Sequence, residues 1–166
     1  MNDIILSLGT NVGNKVQNLV DAIEFLKEKI EIYKISSIYK SEPMYFEEQD
    51  YFYNCVVAGY TNFFPEELLM FVKNIEKKMG RKKIFRNGPR IIDIDIVFFN
   101  YSKYEFTNLK IPHPDYLNRN FVLYPMAEIL PNIKLPEIGI ELRTYLENKN
   151  FDCYIEKLNI NDWIAI

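Results

Sequence analysis

Arg86-Asn87-Gly88-Pro89-Arg90-Ile91-Ile92-Asp93-Ile94-Asp95-Ile96-Val97-Phe98-Phe99 reads as a turn followed by one strand. The apolar run from Ile91 to Phe99 suits a strand covered on both faces. Side chains alternate along a strand, so Asp93 and Asp95 share one face and Ile92, Ile94 and Ile96 the other. Two carboxylates side by side in an apolar strand repel each other and are costly to desolvate. A cation is therefore expected on that face, and carboxylate oxygens suit Mg²⁺. Arg86 and Arg90 flank the turn as groups that hold phosphate would. On spacing alone, an edge strand whose aspartates face water is the equal alternative. The flanking arginines tilt the reading toward a metal and phosphate site.

Outward from this stretch, the chain of 166 residues is long enough for one domain with a real core. Its 48% hydrophobic and 26% charged content is that of an ordinary globular protein. A net charge of −3 supplies no global field for nucleic acid or membrane, and neither is expected as a partner. The charge is nevertheless uneven. Lys73, Lys77, Lys78, Arg81, Lys82, Lys83, Arg86 and Arg90 crowd into one segment that leads into the aspartates. Such a run is either a solvated helix face or the seat of a polyanionic ligand, and its position favours the ligand. Two cysteines, Cys55 and Cys153, and the one histidine, His113, cannot build a zinc cluster or a disulfide framework. No apolar run approaches a membrane span, and with strand-like residues from Asp3 no signal peptide is expected. A reduced, cytoplasmic protein is expected.

Ile4 to Leu8 reads as a short strand, and Gly9 to Asn14 as a tight strand-to-helix turn, only loosely like a phosphate loop. Val16, Leu19, Val20, Ile23, Leu26 and Ile30 stripe the following helix. Ile32 to Tyr39 reads as a second strand and Phe52 to Tyr60 as a third, in which a buried Asn54 would need partners. The irregular, aromatic segment between them, Ser41 to Asp50, has the character of a functional loop. Pro65 opens a second helix that Gly80 stops, with Leu68, Val72, Ile75 and Met79 as its core stripe. Glu76 borders that stripe and is expected to be solvated unless the basic loop engages it. Two prolines bracket His113 in a rigid connector, which leaves a structural and a functional role evenly matched. Phe121 to Ile129 has helical character broken by Pro125, and Gly139 to Asn148 reads as a short helix. The order of elements predicts a single-domain α+β fold. Its core is ferredoxin-like βαββαβ with additional C-terminal helices, and the core helices lie on one sheet face. The first strand and the aspartate strand are expected to be adjacent and central.

Arg86-x-Gly88-Pro89-Arg90-x-x-Asp93-Ile94-Asp95-Ile96-Val97 resembles the motif of the 6-hydroxymethyl-7,8-dihydropterin pyrophosphokinases. Three other stretches agree in order and spacing. They are Leu8 to Gly13, Tyr39 to Pro43 with Gln49 and Phe52-Tyr53-Asn54, and Ile111 to Pro114 followed by Arg119-x-Phe121-Val122-Leu123-x-Pro125. The resemblance spans residues 3 to 150; it implies a pyrophosphokinase domain over 1–150 and leaves 151–166 as an extension of unassigned role. It implies transfer of pyrophosphate from ATP to the hydroxymethyl group of the dihydropterin, with release of AMP. Asp93 and Asp95 would hold two Mg²⁺ ions, and Arg81 and Arg90 would neutralise the transferred group. Glu76, Lys83, Lys110, His113 and Arg119 would lie on the ATP side. Phe52 and Phe121 would stack the pterin, Asn54 would hydrogen-bond it, and Ser41, Glu42 and Met44 would supply the surrounding loop.

The chain departs from the pattern in three places. Asn87 stands where some members place a tryptophan, Asn108 and Lys110 replace an arginine and a threonine, and Lys73 replaces a glutamine. A monomer is expected, with a homodimer as the alternative. Two other classes compete. A nucleotidyltransferase would show a Gly-Ser turn before its aspartates, and a ferredoxin-like RNA-binding domain would place aromatics where these aspartates stand.

Overall fold

The computed structural model describes residues 1–45, 47–82 and 85–166. Its first strand, β1 (Asn2–Thr10), leads to helix α1 (Lys15–Leu26). The side chain of Asn14 caps this helix, accepting the Gln17 N–H at 3.1 Å. Two short strands follow, β2 (Glu31–Ile35) and β3 (Tyr39–Ser41), then the long β4 (Phe52–Thr61). Helix α2 (Pro65–Lys78) has proline in its first turn, glutamates at its start and lysines at its end. Gly80, at φ +85°, terminates it as expected. Strand β5 (Asp93–Phe99) and the hairpin β6 (Tyr104–Phe106) and β7 (Leu109–Ile111) precede α3 (Asn120–Ile129) and α4 (Leu142–Glu147). The last strand is β8 (Ile155–Lys157).

The main sheet runs β5-β1-β4-β3-β8, with β2 also paired to β4, and all pairings are antiparallel. Core strands one, three and four therefore lie in the order of the split βαβ arrangement, and the expected α+β class holds. Beneath α1 and α2, Ile4, Leu6, Leu8, Ile94 and Ile96 are buried among helix residues such as Leu19, Ile23, Leu68 and Val72. The opposite face carries a second cluster, in which Ile5, Val56, Ala58 and Val97 pack with Val122, Leu123 and Met126 of α3 and Leu142 of α4.

Several expectations need correction. The aspartate strand is adjacent to β1 but not central, because β1 and β4 take the middle of the sheet and β5 ends it. The second strand is two strands. Ser36 stays bonded to Val56 of β4, its hydroxyl accepting the Val56 N–H, but Ser37 donates its N–H and hydroxyl to the Glu128 carboxylate at 2.6 and 2.7 Å, and the regular pairing is interrupted there. Pro125 does not break α3; it is buried inside the helix. It lies just past the first turn, so only the bond to the Phe121 carbonyl is lost. The helix expected from Gly139 begins at Leu142, because Gly139 (φ +68°) belongs to the preceding turn. Residues 151–166 pack on the core. β8 pairs with β3, while Leu158, Trp163 and Ile164 rest against the cluster under α1 and α2.

Candidate active site

On the α3 face each of three neighbouring strands changes character along its length. Ile5, Ser7 and Gly9 succeed one another on β1; Ala58, Val56 and Asn54 on β4; Val97, Asp95 and Asp93 on β5. The apolar ends lie under α3, and the polar ends are left uncovered. The register places Ser7 opposite Asp95, and Gly9 between Asp93 on one side and Asn54 on the other. These polar ends floor a cavity of about 310 Å³. Its walls come from the 41–49 loop, the Arg81 and Asn87–Arg90 segment, and His113, Arg119 and Phe121.

Arg81 Nη1 lies 2.8 Å from Asp93 Oδ1 and 2.5 Å from Glu76 Oε2, and Arg90 Nη1 lies 3.2 Å from Asp93 Oδ2. Burial works to raise the Asp93 carboxyl, yet Arg81 and Arg90 hold it below the usual carboxylate range. Asp95 has weaker partners, Arg119 at 3.5 Å and His113 Nε2 at 4.0 Å. Burial and the neighbouring Asp93 push its carboxyl up to about 7. The pair thus titrates apart, as two carboxylates sharing one face must. Burial, with Arg119 close by, pushes the His113 imidazole down to about 4. It is neutral at pH 7, and its Nδ1 accepts the Asp115 N–H at 3.2 Å. The bond preceding Pro112 is cis.

Glu76 is not solvated. It is 3% exposed, accepts the Ile94 N–H at 2.9 Å, and has its carboxyl pushed up by burial. The amide of Asn54 is buried and satisfied, as its strand position demanded. It donates to the Tyr39 carbonyl at 3.1 Å and to Ser41 Oγ at 2.8 Å. Those bonds use both N–H groups, so its Oδ1 is the atom turned toward Gly9 and the cavity. Arg90 lies over the Phe52 ring at 5.4 Å and Arg119 over the Phe121 ring at 5.6 Å. Each expected stacking surface thus has a guanidinium within reach.

Of the candidates, Ser41, Glu42, Met44, Phe52, Asn54, Arg81, Arg90, Asp93, Asp95, His113, Arg119 and Phe121 line the one cavity. Glu76 lies behind Arg81, in the wall of a second concavity of about 500 Å³ with Lys73, Lys77, Arg86 and Arg90. Lys110 is exposed on β7 and does not line the cavity, and Lys83 lies outside the described residues. Asn11 and Gln49 were missed as organising residues. Asn11 accepts the Arg90 N–H at 2.9 Å and donates to Gln49 Oε1 at 2.8 Å; Gln49 donates in turn to the Asn87 carbonyl at 2.8 Å. The glycine-flanked Asn11 was the available signal, but it read as a turn former. Here its amide ties three loops together.

Fold and site together define a ferredoxin-like protein with a cationic cleft around paired aspartates. Comparison with known proteins narrows the class. The family described as 7,8-dihydro-6-hydroxymethylpterin-pyrophosphokinase (HPPK) matches residues 5–131. The 2-amino-4-hydroxy-6-hydroxymethyldihydropteridine pyrophosphokinase of Aquifex aeolicus is 43% identical over 82% of this chain and 85% of its own length. Folic acid synthesis protein FOL1 of Dictyostelium discoideum is also 43% identical, over 84% of this chain, but this chain spans only 21% of that protein. Among solved structures, Plasmodium falciparum HPPK-DHPS superposes with a TM-score of 0.75 at 19% identity, over 89% of this chain and 44% of that one. This last likeness bears on the fold alone. The chain belongs to the 7,8-dihydro-6-hydroxymethylpterin-pyrophosphokinase family.

Proposed function

We propose that this chain transfers pyrophosphate from ATP to the hydroxymethyl group of 6-hydroxymethyl-7,8-dihydropterin in folate biosynthesis, releasing AMP. The observation that carries this reading is the row Asp93–Gly9–Asn54 across the cavity floor, which sets a carboxylate pair beside an amide reader with no side chain between. The substrate hydroxyl attacks the β-phosphorus of ATP, and the bond from that phosphorus to the α-phosphate oxygen breaks. Such a transfer needs positioning and charge neutralisation more than a covalent nucleophile.

Asp93 and Asp95 fit Mg²⁺. They offer hard oxygens on one face, and among the described residues no group of three or more His, Cys, Asp or Glu side chains forms a closed cage. Mg²⁺ characteristically takes one or two carboxylates and completes its shell with phosphates and water. When bound, two such ions supply Lewis acidity to the triphosphate and the attacking hydroxyl. Arg81 and Arg90 then exchange Asp93 for phosphate oxygens. Arg119 and the neutral His113 hold the ATP side; Lys110 assists from outside the cavity, Lys83 assists as the motif implies, and Glu76 keeps Arg81 in place. Phe52 and Phe121 stack the pterin. Asn54 Oδ1 accepts from its edge, and Ser41, Glu42 and Met44 close the surrounding loop. A cytoplasmic location belongs to this reading. Separately, among the described residues no helix is long and apolar enough to cross a membrane.

The test is AMP release from ATP and Mg²⁺ with and without the pterin. AMP that appears only with the pterin supports the reading. Transfer of AMP with release of pyrophosphate would place the protein among nucleotidyltransferases instead.

A further inference from the structure

The carboxy-terminal segment lies beyond the matched residues 5–131, yet it touches both walls of the cavity. On one side β8 extends the sheet at β3, with Ser41 opposite Ile155. The pairing continues past the strand, where the Glu42 N–H donates to the Tyr154 carbonyl at 3.3 Å and the Tyr154 N–H donates to Glu42 Oε1 at 2.9 Å. On the other side Asn120 opens α3 between Arg119 and Phe121, both of which line the cavity. Asn120 is 3% exposed, and its Nδ2 donates to the Cys153 carbonyl at 2.9 Å. Two adjacent residues, Cys153 and Tyr154, therefore join the loop at Ser41–Glu42 to the start of α3. A third tie lies further along, where Lys157 Nζ meets the Glu128 carboxylate at 2.8 Å.

We infer that residues 153–157 are a strap that sets the spacing of the two walls on the pterin side, with Asn120 as the positioning residue that anchors it. The inference rests on the proposed function for its substrate but not for its geometry. Asn120 does not line the cavity; it acts through Cys153 and Tyr154 on Glu42, and through its own helix turn on Phe121. Without it only the more distant Lys157–Glu128 pair ties the strap to α3, so the ring slot is less often correctly formed. The phosphate end keeps Arg81, Arg90, Asp93 and Asp95 unchanged. The cost falls on pterin capture, not on the chemical step.

The experiment compares the wild type with Asn120→Ala and with a chain ending at Asn150. Asn120→Ala removes one hydrogen bond and should raise KM for the pterin about fivefold, with kcat and KM for ATP changed less than about twofold. Amide hydrogen exchange without substrates should quicken at residues 41–42 and leave α1 untouched. The shortened chain also loses Trp163 and Ile164 from the core, so it is read by exchange, after a thermal melt has established that it folds. An equal loss in kcat, or an unchanged pterin KM with unchanged exchange at 41–42, overturns the strap. If the wild type itself shows no pterin-dependent AMP release, the proposed function fails, and exchange alone decides the strap.

Discussion

Glu76 accepts the main-chain N–H of Ile94, at 2.9 Å, from a helix on the far side of the edge strand. Ile94 separates the two aspartates; N–H groups alternate sides along an antiparallel strand, that of Ile94 points away from β1, and among the described residues no strand lies beyond β5 to accept it. A buried carboxylate thus stands where a neighbouring strand would have paired, and it also receives Arg81. Glu76→Ala leaves the Ile94 N–H and part of Arg81 without a partner and should destabilise the fold by about 1–3 kcal/mol. Glu76→Gln keeps an acceptor and should cost less than half as much. Thermal melts of the two variants check this ordering; equal losses would mean that the charge on Arg81 matters and the strand N–H does not.

Asp95 should trade stability for function. Its folded carboxyl titrates near 7, above the ordinary value of 3.8, so the folded state binds the extra proton. The stabilising contribution of that proton is complete below 3.8 and is lost as pH rises through about 7. Asp95→Asn removes the repulsion with Asp93 permanently. It should therefore stabilise the substrate-free, metal-free protein at pH 8, by roughly 1–2 kcal/mol, and much less at pH 5. The same change should abolish turnover, since the proposed Mg²⁺ site loses a ligand. Denaturant melts at the two pH values, with rates in saturating Mg²⁺, test both halves.

Arg90 touches both ends of the site, with Nη1 3.2 Å from Asp93 and its guanidinium over Phe52. The phosphate role should dominate. Arg90→Ala is expected to lower kcat about a hundredfold, as loss of a charge-stabilising group does. Pterin affinity, measured by equilibrium binding, should change only a few-fold. The reverse pattern would make Arg90 a ring-binding residue.

Gly9 tests the shape of the cavity floor. A Cβ built there stands 3.2 Å from Asn54 Oδ1, the acceptor left after both Asn54 N–H groups are used. Gly9→Ala should crowd that oxygen and raise KM for the pterin at least tenfold, with KM for ATP close to wild type. A matched loss for both substrates would mean that the strand has shifted rather than the reader.

Asn54 itself separates a structural from a functional reading. Asn54→Leu strips the Tyr39 carbonyl and Ser41 Oγ of their donor and removes the free acceptor. A melting temperature lowered by several degrees is expected from the buried carbonyl alone. Pterin binding should fall below detection in a titration that still registers ATP. Retained pterin binding would take Asn54 out of the site.

Local chemistry was legible without coordinates. Strand alternation put Asp93 and Asp95 on one face, and the 3.6-residue period with Pro65 and Gly80 bounded α2, because those signals act within a few residues. The order of elements implied the sheet, and four ordered motifs pointed to the family. Tertiary structure alone decided what distant segments do to one another. Ser37 was an ordinary strand residue until Glu128, far along the chain, accepted its N–H. Glu76 read as solvated unless the basic loop engaged it; packing brings it both Arg81 and the Ile94 N–H. Asn11 read as a turn residue, and 151–166 as an appendage, until the loops they tie came within hydrogen-bonding distance. Periodicity and capping are properties of neighbours along the chain. The partner of a buried polar group is a property of packing, and burial is what forces that partner to exist.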